Sequence, residues 1–296
     1  MPQSVAFPAT SALRELEGAR DSRVLVLCAS HLDMELLPAL YAQLNDMGRQ
    51  RRLDVVLQAR GGEINAVRRM ALLLRRFSDH LAFIVPYHCQ SSGTILALAG
   101  DEIIAGDLAL FSPIDPHLHG SAGQGESSAM SCEDIRQFGE MSRDWFGVDP
   151  DEARAQSLSL LCQSIFPPTL TAFYRSTLEL KQIGRELLGS QLPGADRERL
   201  DGIVAALMFG YHSHDYAITG DELHALGLNI RRHEEVERLA WELSLCLQGI
   251  VGGGQRSADD QPWHDALIAA TRSLRVRTRT MEALNGQWHQ ETLPDA

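Results

Sequence analysis

Apolar runs alternate with helical patterns through the first third of the chain. Short runs rich in β-branched residues at 23–29, 54–57 and 81–86 predict buried strands. Apolar residues at helical spacing follow at 36–47 and 64–74, and these two stretches predict amphipathic helices. A strand that repeatedly passes into a helix predicts an α/β fold with largely parallel strands.

The third predicted strand ends in a turn of small and polar residues. This turn, 88–94, leads into a helix predicted at about 94–99. A serine placed there would lie at a helix N-terminus, where free backbone N–H groups and the helix dipole favour developing negative charge. The turn therefore suits Ser91 as a nucleophile. It also suits the commoner role of serine, in which Ser91 or Ser92 only caps the helix.

A diglycine turn precedes the helix at 64–74. Gly61 and Gly62 carry no Cβ and tolerate positive φ, so their backbone can approach a ligand closely. The serine turn follows about 30 residues later. Together the two turns would form an oxyanion hole, with one N–H from the glycines and another from Ser92, the residue after the nucleophile.

Four segments resemble a known superfamily, and they occur in that superfamily's order. They are LDVVLQARGGEINAVRRMALLLR, VPYHCQSSGTILALAGDEIIAG, FSPIDPHL and GYHSHDYAITGDELHALGLNI. The chain resembles the Clp-protease/crotonase superfamily over about 23–230, and most closely its serine dehydrogenase proteinase family, related to signal peptide peptidase A. The resemblance implies an α/β fold with a repeated strand-strand-helix core and extra helices. It also implies a serine peptidase with Ser91 as nucleophile and an oxyanion hole from Gly61, Gly62 and the Ser92 N–H.

The resemblance also points to an acid. In the Clp proteolytic subunit an acidic residue precedes a short helix, and Asp215 has that position before the helix predicted at 220–225. Asp215 would then orient a catalytic base. The alternative is that it caps a turn.

The general base is left open by the sequence. In the Clp subunit it is a histidine that would fall at 112–116, where this chain has none. Signal peptide peptidases use a lysine from a later helix, and Lys181 is the only lysine here. His214, beside Asp215, and His117 or His119 are the other candidates, since an imidazole accepts a proton near neutral pH. We favour His214; loss of hydrolysis is the alternative.

Composition limits the class of protein and its partners. The formal charge of -12 argues against nucleic acid as a partner. Five cysteines without CxxC spacing indicate neither a disulfide framework nor a zinc site, and no metal or organic cofactor is expected. The first residues do not follow the pattern of a signal peptide, and no apolar run is long enough to span a membrane. We therefore expect a cytoplasmic protein without a membrane span.

The remaining patterns indicate further helices and a final strand. Residues 117–128 are expected to form a loop, and helices are expected at 132–146, 151–162, 169–188 and 234–247. Alternation at 273–280 predicts a half-exposed strand whose arginine face (Arg275, Arg277, Arg279) is solvated or salt-bridged. The predicted division is an N-terminal arm (1–22), a core with the nucleophile turn (23–130), a helical insertion (131–208), completion of the core (209–250) and a C-terminal extension (251–296).

Three functions are compatible with these features. The first is a serine hydrolase, by resemblance a peptidase, that forms an acyl-enzyme on Ser91. The second is a catalytically inactive scaffold with the same fold, and the third is acyl-CoA chemistry. The resemblance further implies a homo-oligomer, with the contact surface expected at 130–208, and a peptide or protein substrate.

Overall fold

The computed structural model describes residues 9–115, 117–121, 127–251, 262–280 and 286–293, without the side chains of 117–121, 127–130, 150 and 153. The strands are β1 Arg23–Ala29, β2 Gln50–Ala59, β3 Ser78–Val85, β4 His88–Cys89, β5 Glu102–Ala105, β6 Leu110–Phe111, β7 His117–Ser121, β8 Ser127–Ser131, β9 Ile230–Arg231, β10 Trp263–Ala270, β11 Ser273–Arg279 and β12 Gln287–Thr292. The helices are α1 Thr10–Arg20, α2 Leu36–Met47, α3 Ile64–Arg76, α4 Ser92–Ala97, α5 Cys132–Phe146, α6 Pro150–Ser164, α7 Pro167–Gln191, α8 Arg197–Phe209, α9 Gly220–Ala225 and α10 Glu234–Ile250.

A twisted sheet forms the centre of the fold. In the described residues its main path runs in the order β12-β11-β10-β1-β2-β3-β5-β9, and β4 and β6 join at the carboxyl end of β2. Along this path β1, β2, β3, β5 and β9 pair in parallel, whereas β10, β11 and β12 extend the sheet in antiparallel fashion. This mixed α/β architecture with extra helices confirms the predicted fold class.

Both faces of the sheet are covered, which explains the continuous apolar runs in β1 and in the later part of β3. In β1, Leu25 and Leu27 point into the core formed with α2, α3, α4, α7 and α8. Val24 and Val26 point to the opposite face, where α1 and α10 pack. The nucleophile turn and the diglycine turn both follow strands of this sheet, so they lie at its carboxyl edge.

Several elements differ from their predictions. Residues 10–20 of the predicted arm form helix α1, whose Leu13 and Leu16 are buried. The predicted loop at 117–128 contains β7 and the start of β8, which pair with each other. Helix α4 begins at Ser92, two residues before its predicted start. Strands β10 and β12 were not predicted.

The antiparallel extension is fixed to the rest of the sheet by a buried arginine. Arg277 of β11 is fully buried, and its guanidinium donates to both oxygens of Asp33 at 2.7 and 2.9 Å. It also donates to Asp265 of β10 at 2.8 and 2.9 Å. The predicted arginine face is therefore salt-bridged, and at Arg277 it is closed to solvent.

Two global features bear on the sequence expectations. All five cysteines lie within the described ranges and are free thiols. Among the described helices, none is both long and apolar enough to cross a membrane.

Candidate active site

Ser91 occupies a strained turn between β4 and α4. Its backbone has φ 52° and ψ −118°, and a positive φ is uncommon for a residue with a side chain. Within the described structure its hydroxyl makes no capping hydrogen bond to α4. The capping role that was the alternative interpretation of Ser91 is therefore not what holds this residue, and strain of this kind concentrates at functional sites.

Hydrogen bonds from the next segment hold the turn in place. The Ser91 N–H donates to Oγ of Ser112 at 2.7 Å. The hydroxyl of Thr94, buried in α4, lies 2.9 Å from the Cys89 carbonyl oxygen and 3.0 Å from that of Ser112. Ser112 stands where the sequence lacks the superfamily's histidine, and here its side chain supports the serine turn.

The diglycine turn meets the serine turn. A Cβ added at Gly61 would lie 3.4 Å from Ser91 Cβ and 3.7 Å from Ser91 Oγ. The turn is held by Leu32, whose N–H donates to the Gly61 carbonyl at 2.8 Å and whose carbonyl accepts from Glu63 N–H at 2.8 Å. Gly62 has φ 154°, and a Cβ there would lie 2.2 Å from the Leu32 carbonyl oxygen. Only glycine fits this corner.

The two neighbouring serines differ in their surroundings. Ser91 is half-buried and lines the cleft, whereas Ser92 is buried, and its Oγ has no hydrogen-bond partner among the described residues. Ser92 is the first residue of α4, so no carbonyl within the helix can accept its N–H. The arrangement thus offers the Ser91 hydroxyl to the cleft and a helix N-terminal amide beside it.

A cleft of about 670 Å³ brings these groups together. Its floor is formed by the two turns, and its walls come from the starts of α3 and α4 and from one side of α7. The lining residues are His31, Arg60, Gly61, Gly62, Glu63, Ile64, Asn65, Ser91, Ser92, Ile95, Ile114, Asp115, Ser176, Glu179, Leu180 and His214.

The candidate bases lie in different places. His214 lines the Ser91 cleft. Lys181 is not among the residues that line it, and its ammonium lies 5.2 Å from the ring centroid of Phe209. The side chains of His117 and His119 fall outside the described part of the chain.

The candidate acids lie around a second cavity of about 280 Å³, which adjoins the first. Asp215 is exposed, lines only this second cavity, and its N–H donates to Ser213 Oγ at 3.2 Å. Asp115 and His214 line both cavities, and Asp115 accepts a hydrogen bond from Ser131 Oγ. The sequence did not indicate Asp115 as a candidate acid, because the superfamily has a histidine, not an acid, in the segment 112–116.

The second cavity is acidic. Its lining includes the carboxylates of Asp115, Asp134, Asp215 and Glu133. Burial raises the pKa of Glu133, but hydrogen bonds from Arg136 and Gln137 and nearby positive charge outweigh this and lower it. Glu133 is therefore ionised at neutral pH. In the described residues, no group of three or more His, Cys, Asp or Glu side chains is arranged to hold a metal ion.

A family model matches the first part of the chain, which includes both turns of the cleft. The parallel sheet with helices on both faces is a mixed α/β fold, as predicted. Residues 3–131 match the family model described as ClpP-like SDH-type serine proteinase, which confirms the family resemblance inferred from the sequence. This match covers less than half of the chain.

Relatives with curated sequences are uncharacterized. Uncharacterized protein MJ1495 of Methanocaldococcus jannaschii is 26% identical over 209 residues, covering 71% of this chain and 60% of that protein. Uncharacterized protein MJ0137 of the same organism is 25% identical over 196 residues, covering 66% of this chain and 58% of that protein. The chain thus spans about three fifths of the length of these relatives.

Two solved structures are similar at low identity. One is the 1510-N membrane-bound stomatin-specific protease in a mutant form, with a TM-score of 0.42 and 13% identity, covering 71% of this chain and 78% of that one. The other is an enoyl-CoA hydratase from Polaromonas sp. JS666, with a TM-score of 0.33 and 16% identity, covering 75% of this chain and 74% of that one.

Proposed function

We propose that the protein is a serine peptidase that forms an acyl-enzyme on Ser91. The observation that carries this proposal is the approach of the diglycine turn to the serine turn, which is close enough that a Cβ added at Gly61 would lie 3.4 Å from Ser91 Cβ. The positive φ of Ser91 supports it, because the strain holds the hydroxyl out of a capping bond and toward the cleft.

The backbone amides of Gly61, Gly62 and Ser92 are the proposed oxyanion donors. They would hold the oxygen that becomes negative when Ser91 Oγ attacks a peptide carbonyl. A donor of this kind typically contributes about 3 kcal/mol to transition-state stabilisation. The apolar residues Ile64 and Leu180 in the same cleft would contact the substrate chain.

His214 is the proposed base, because it lines the cleft together with Ser91. It would take the proton from Ser91 Oγ and return it to the leaving amine. Either Asp215 or Asp115 would orient it; both line a cavity that His214 also lines. Lys181 is the less favoured base because its ammonium lies over Phe209.

Labelling with a fluorophosphonate probe tests the nucleophile. Wild type should be labelled, and Ser91→Ala should abolish labelling while the protein stays folded. Ser92→Ala is the matched control, since it removes the neighbouring hydroxyl, and it should retain labelling. Labelling that persists in Ser91→Ala and disappears in Ser92→Ala would move the nucleophile by one residue.

The same probe separates the candidate bases. His214→Ala should slow labelling by about 10²- to 10⁴-fold, the usual contribution of general base catalysis. Lys181→Met should label at the wild-type rate. The opposite pattern would assign the base to the lysine.

An inactive scaffold is the second candidate function. The segment 112–116, where the superfamily has its histidine, holds none, and the hydroxyl of Ser112 in that segment already accepts a hydrogen bond from the Ser91 N–H. Failure of the wild-type protein to react with the probe, with Ser91 intact, would favour this alternative over hydrolysis.

Self-association is part of the proposal. Large apolar side chains are exposed on and between α5 and α7, including Trp145 (77% exposed), Phe146 (70%) and Phe166 (72%). Exposed apolar groups in one region mark contact surfaces, so we place a homo-oligomer contact within 130–208. The proposal also includes a cytoplasmic location, supported by the five free thiols.

A further inference from the structure

A small polar cavity lies behind the serine turn. It has a volume of about 140 Å³ and sits at the carboxyl ends of β1 and β2, where parallel sheets usually hold their ligands. Gln58 and Cys28 reach it from these strands, His88 from β4 and Gln248 from α10. Arg60 lines this cavity and also the Ser91 cleft.

The described residues of the cavity wall include a positively charged side chain and no negatively charged one. None of the described residues that line it carries a carboxylate, although acidic residues outnumber basic ones 39 to 27 in the chain. Arg60 is exposed, and the described part of the chain provides no ion-pair partner for it. By contrast, Glu63, Asp115 and Glu179 line the neighbouring Ser91 cleft.

Hydrogen-bond donors complete the wall. Gln248 Nε2 donates to Ser244 Oγ at 3.1 Å, and Ser244 Oγ donates to Gln58 Oε1 at 2.7 Å. With its oxygen engaged in this way, Gln58 keeps its NH₂ group as the donor end. Nδ1 of His88 is buried and has no hydrogen-bond partner among the residues described.

We propose that this cavity binds a small oxyanion, such as a carboxylate or a phosphate, with Arg60 as its cationic partner and with the Gln58 amide and neutral His88, in the tautomer protonated at Nδ1, as hydrogen-bond donors. A guanidinium matches carboxylate and phosphate oxygens with paired N–H groups. The buried Nδ1 of His88 would gain a partner, and the positive wall would gain a counter-charge.

The titration of the wall agrees with this assignment. Burial lowers the pKa of His88, and the positive charge of Arg60 lowers it further. Together they outweigh a side-chain hydrogen bond with Gln90, which raises the pKa, so the imidazole is neutral at pH 7. Burial raises the pKa of the Cys28 thiol to about 12, so no thiolate balances the arginine. Tyr87 is a further titratable neighbour, with its ring centroid 3.8 Å from that of His88.

The position of the site connects it to the serine turn. Arg60 directly precedes Gly61, and His88 lies three residues before Ser91. Two sources of the oxyanion fit this place: the free carboxylate of a peptide held in the Ser91 cleft, or a free inorganic anion. Binding itself does not depend on whether Ser91 is a nucleophile.

Thermal unfolding in phosphate, at constant ionic strength set with chloride, tests the site. The experiment uses the full chain with Ser91→Ala, so that catalysis cannot contribute to the result. Phosphate should stabilise it with a saturating dependence on concentration. Arg60→Gln should weaken this apparent affinity about 10- to 100-fold, since bonds to charged groups contribute that much.

Arg69→Gln is the matched control. Arg69 is exposed on α3, within the same described region, and is likewise without an ion pair there, so its loss changes the net charge equally. It should leave the phosphate effect unchanged. The proposal would be overturned if phosphate stabilised the Ser91→Ala protein and its Arg60→Gln and Arg69→Gln variants equally. It would also be overturned if both arginine variants lost the same amount of phosphate affinity.

A competition experiment separates the two sources. Peptides with a free C-terminal carboxylate, compared with their C-terminal amides, should displace phosphate if the substrate supplies the oxyanion. If neither peptide form displaces phosphate while Arg60→Gln still weakens phosphate binding, the site binds a free anion.

Discussion

Alanine in place of each of three glycines would test the proposed geometry of the two turns. Gly61, Gly62 and Gly48 all have positive φ, at 134°, 154° and 70°. They differ in what a new Cβ would meet. At Gly48 nothing lies within 4 Å, at Gly62 the Cβ meets the Leu32 backbone, and at Gly61 it meets the Ser91 side chain.

The free energy of unfolding should follow these contacts. Gly48→Ala should lower the free energy of unfolding only by the backbone strain of an alanine at positive φ, about 1–3 kcal/mol. Gly62→Ala should lose this and more, because a Cβ 2.2 Å from the Leu32 carbonyl oxygen would displace the two hydrogen bonds that hold the turn. At about 1 kcal/mol for each hydrogen bond, Gly62→Ala should be about 2 kcal/mol less stable than Gly48→Ala.

Gly61→Ala should affect activity more than stability. Its Cβ would lie 3.4 Å from Ser91 Cβ, a distance that small shifts can accommodate. The methyl group would nevertheless fill the space beside Ser91 Oγ where the substrate oxygen is proposed to bind. We expect labelling by a fluorophosphonate to slow by about 10²- to 10³-fold, as when an oxyanion-hole donor is removed.

Two measurements decide the outcome. Denaturant unfolding gives the stabilities of the three variants, and the rate of probe labelling gives the reactivity of Ser91. Gly48→Ala should label at the wild-type rate. Labelling of Gly61→Ala at the wild-type rate would refute the proposed oxyanion hole, and equal stability of Gly62→Ala and Gly48→Ala would refute the close contact with Leu32.

Three other predictions concern stability, titration and assembly. Arg277→Met should lower the free energy of unfolding by about 3 kcal/mol, because Asp33 and Asp265 lose a buried guanidinium and keep only the partly exposed Arg279 as their partner. Arg49→Met, which breaks an exposed pair, should lower it by less than about 1 kcal/mol in the same urea titration. Because the pKa of His88 lies below its ordinary value of 6.5, the unfolded state binds more protons, so stability should fall as pH drops below that value. Arg60→Gln should raise this pKa in an NMR titration, and an unchanged value would contradict their proximity. Trp145→Glu should shift sedimentation toward smaller species, and an unchanged distribution would place the oligomer contact elsewhere.

The parallel core could be predicted from the sequence because its signals are local. The strand at 23–29 and the helix at 36–47 have their predicted bounds, since continuous apolar runs and helical spacing are each read within one segment. The diglycine and serine turns were also predicted, because glycine and small polar residues interrupt those runs.

The features that the sequence did not predict depend on contacts between segments that are distant in the chain. Strand β10 joins the sheet through pairing with β1, more than 230 residues earlier, and nothing in its local pattern specifies that neighbour. Asp115 and His214 are about 100 residues apart in the chain, and only the folded structure places both on the walls of the same two cavities. The support of Ser91 by Ser112 was missed for a similar reason: the bond joins segments that only the folded sheet aligns.

Strands β10, β11 and β12 also determine which strand borders the sheet. Strand β10 lies directly beside β1, whose residues from Val24 to Ala29 are all apolar and buried. A chain cut after residue 251 would leave β1 as a bare apolar border with open N–H and C=O groups, which is a template for pairing with another molecule. With β10, β11 and β12 in place, the border on this side of the described sheet is instead β12, a six-residue strand of mostly polar residues.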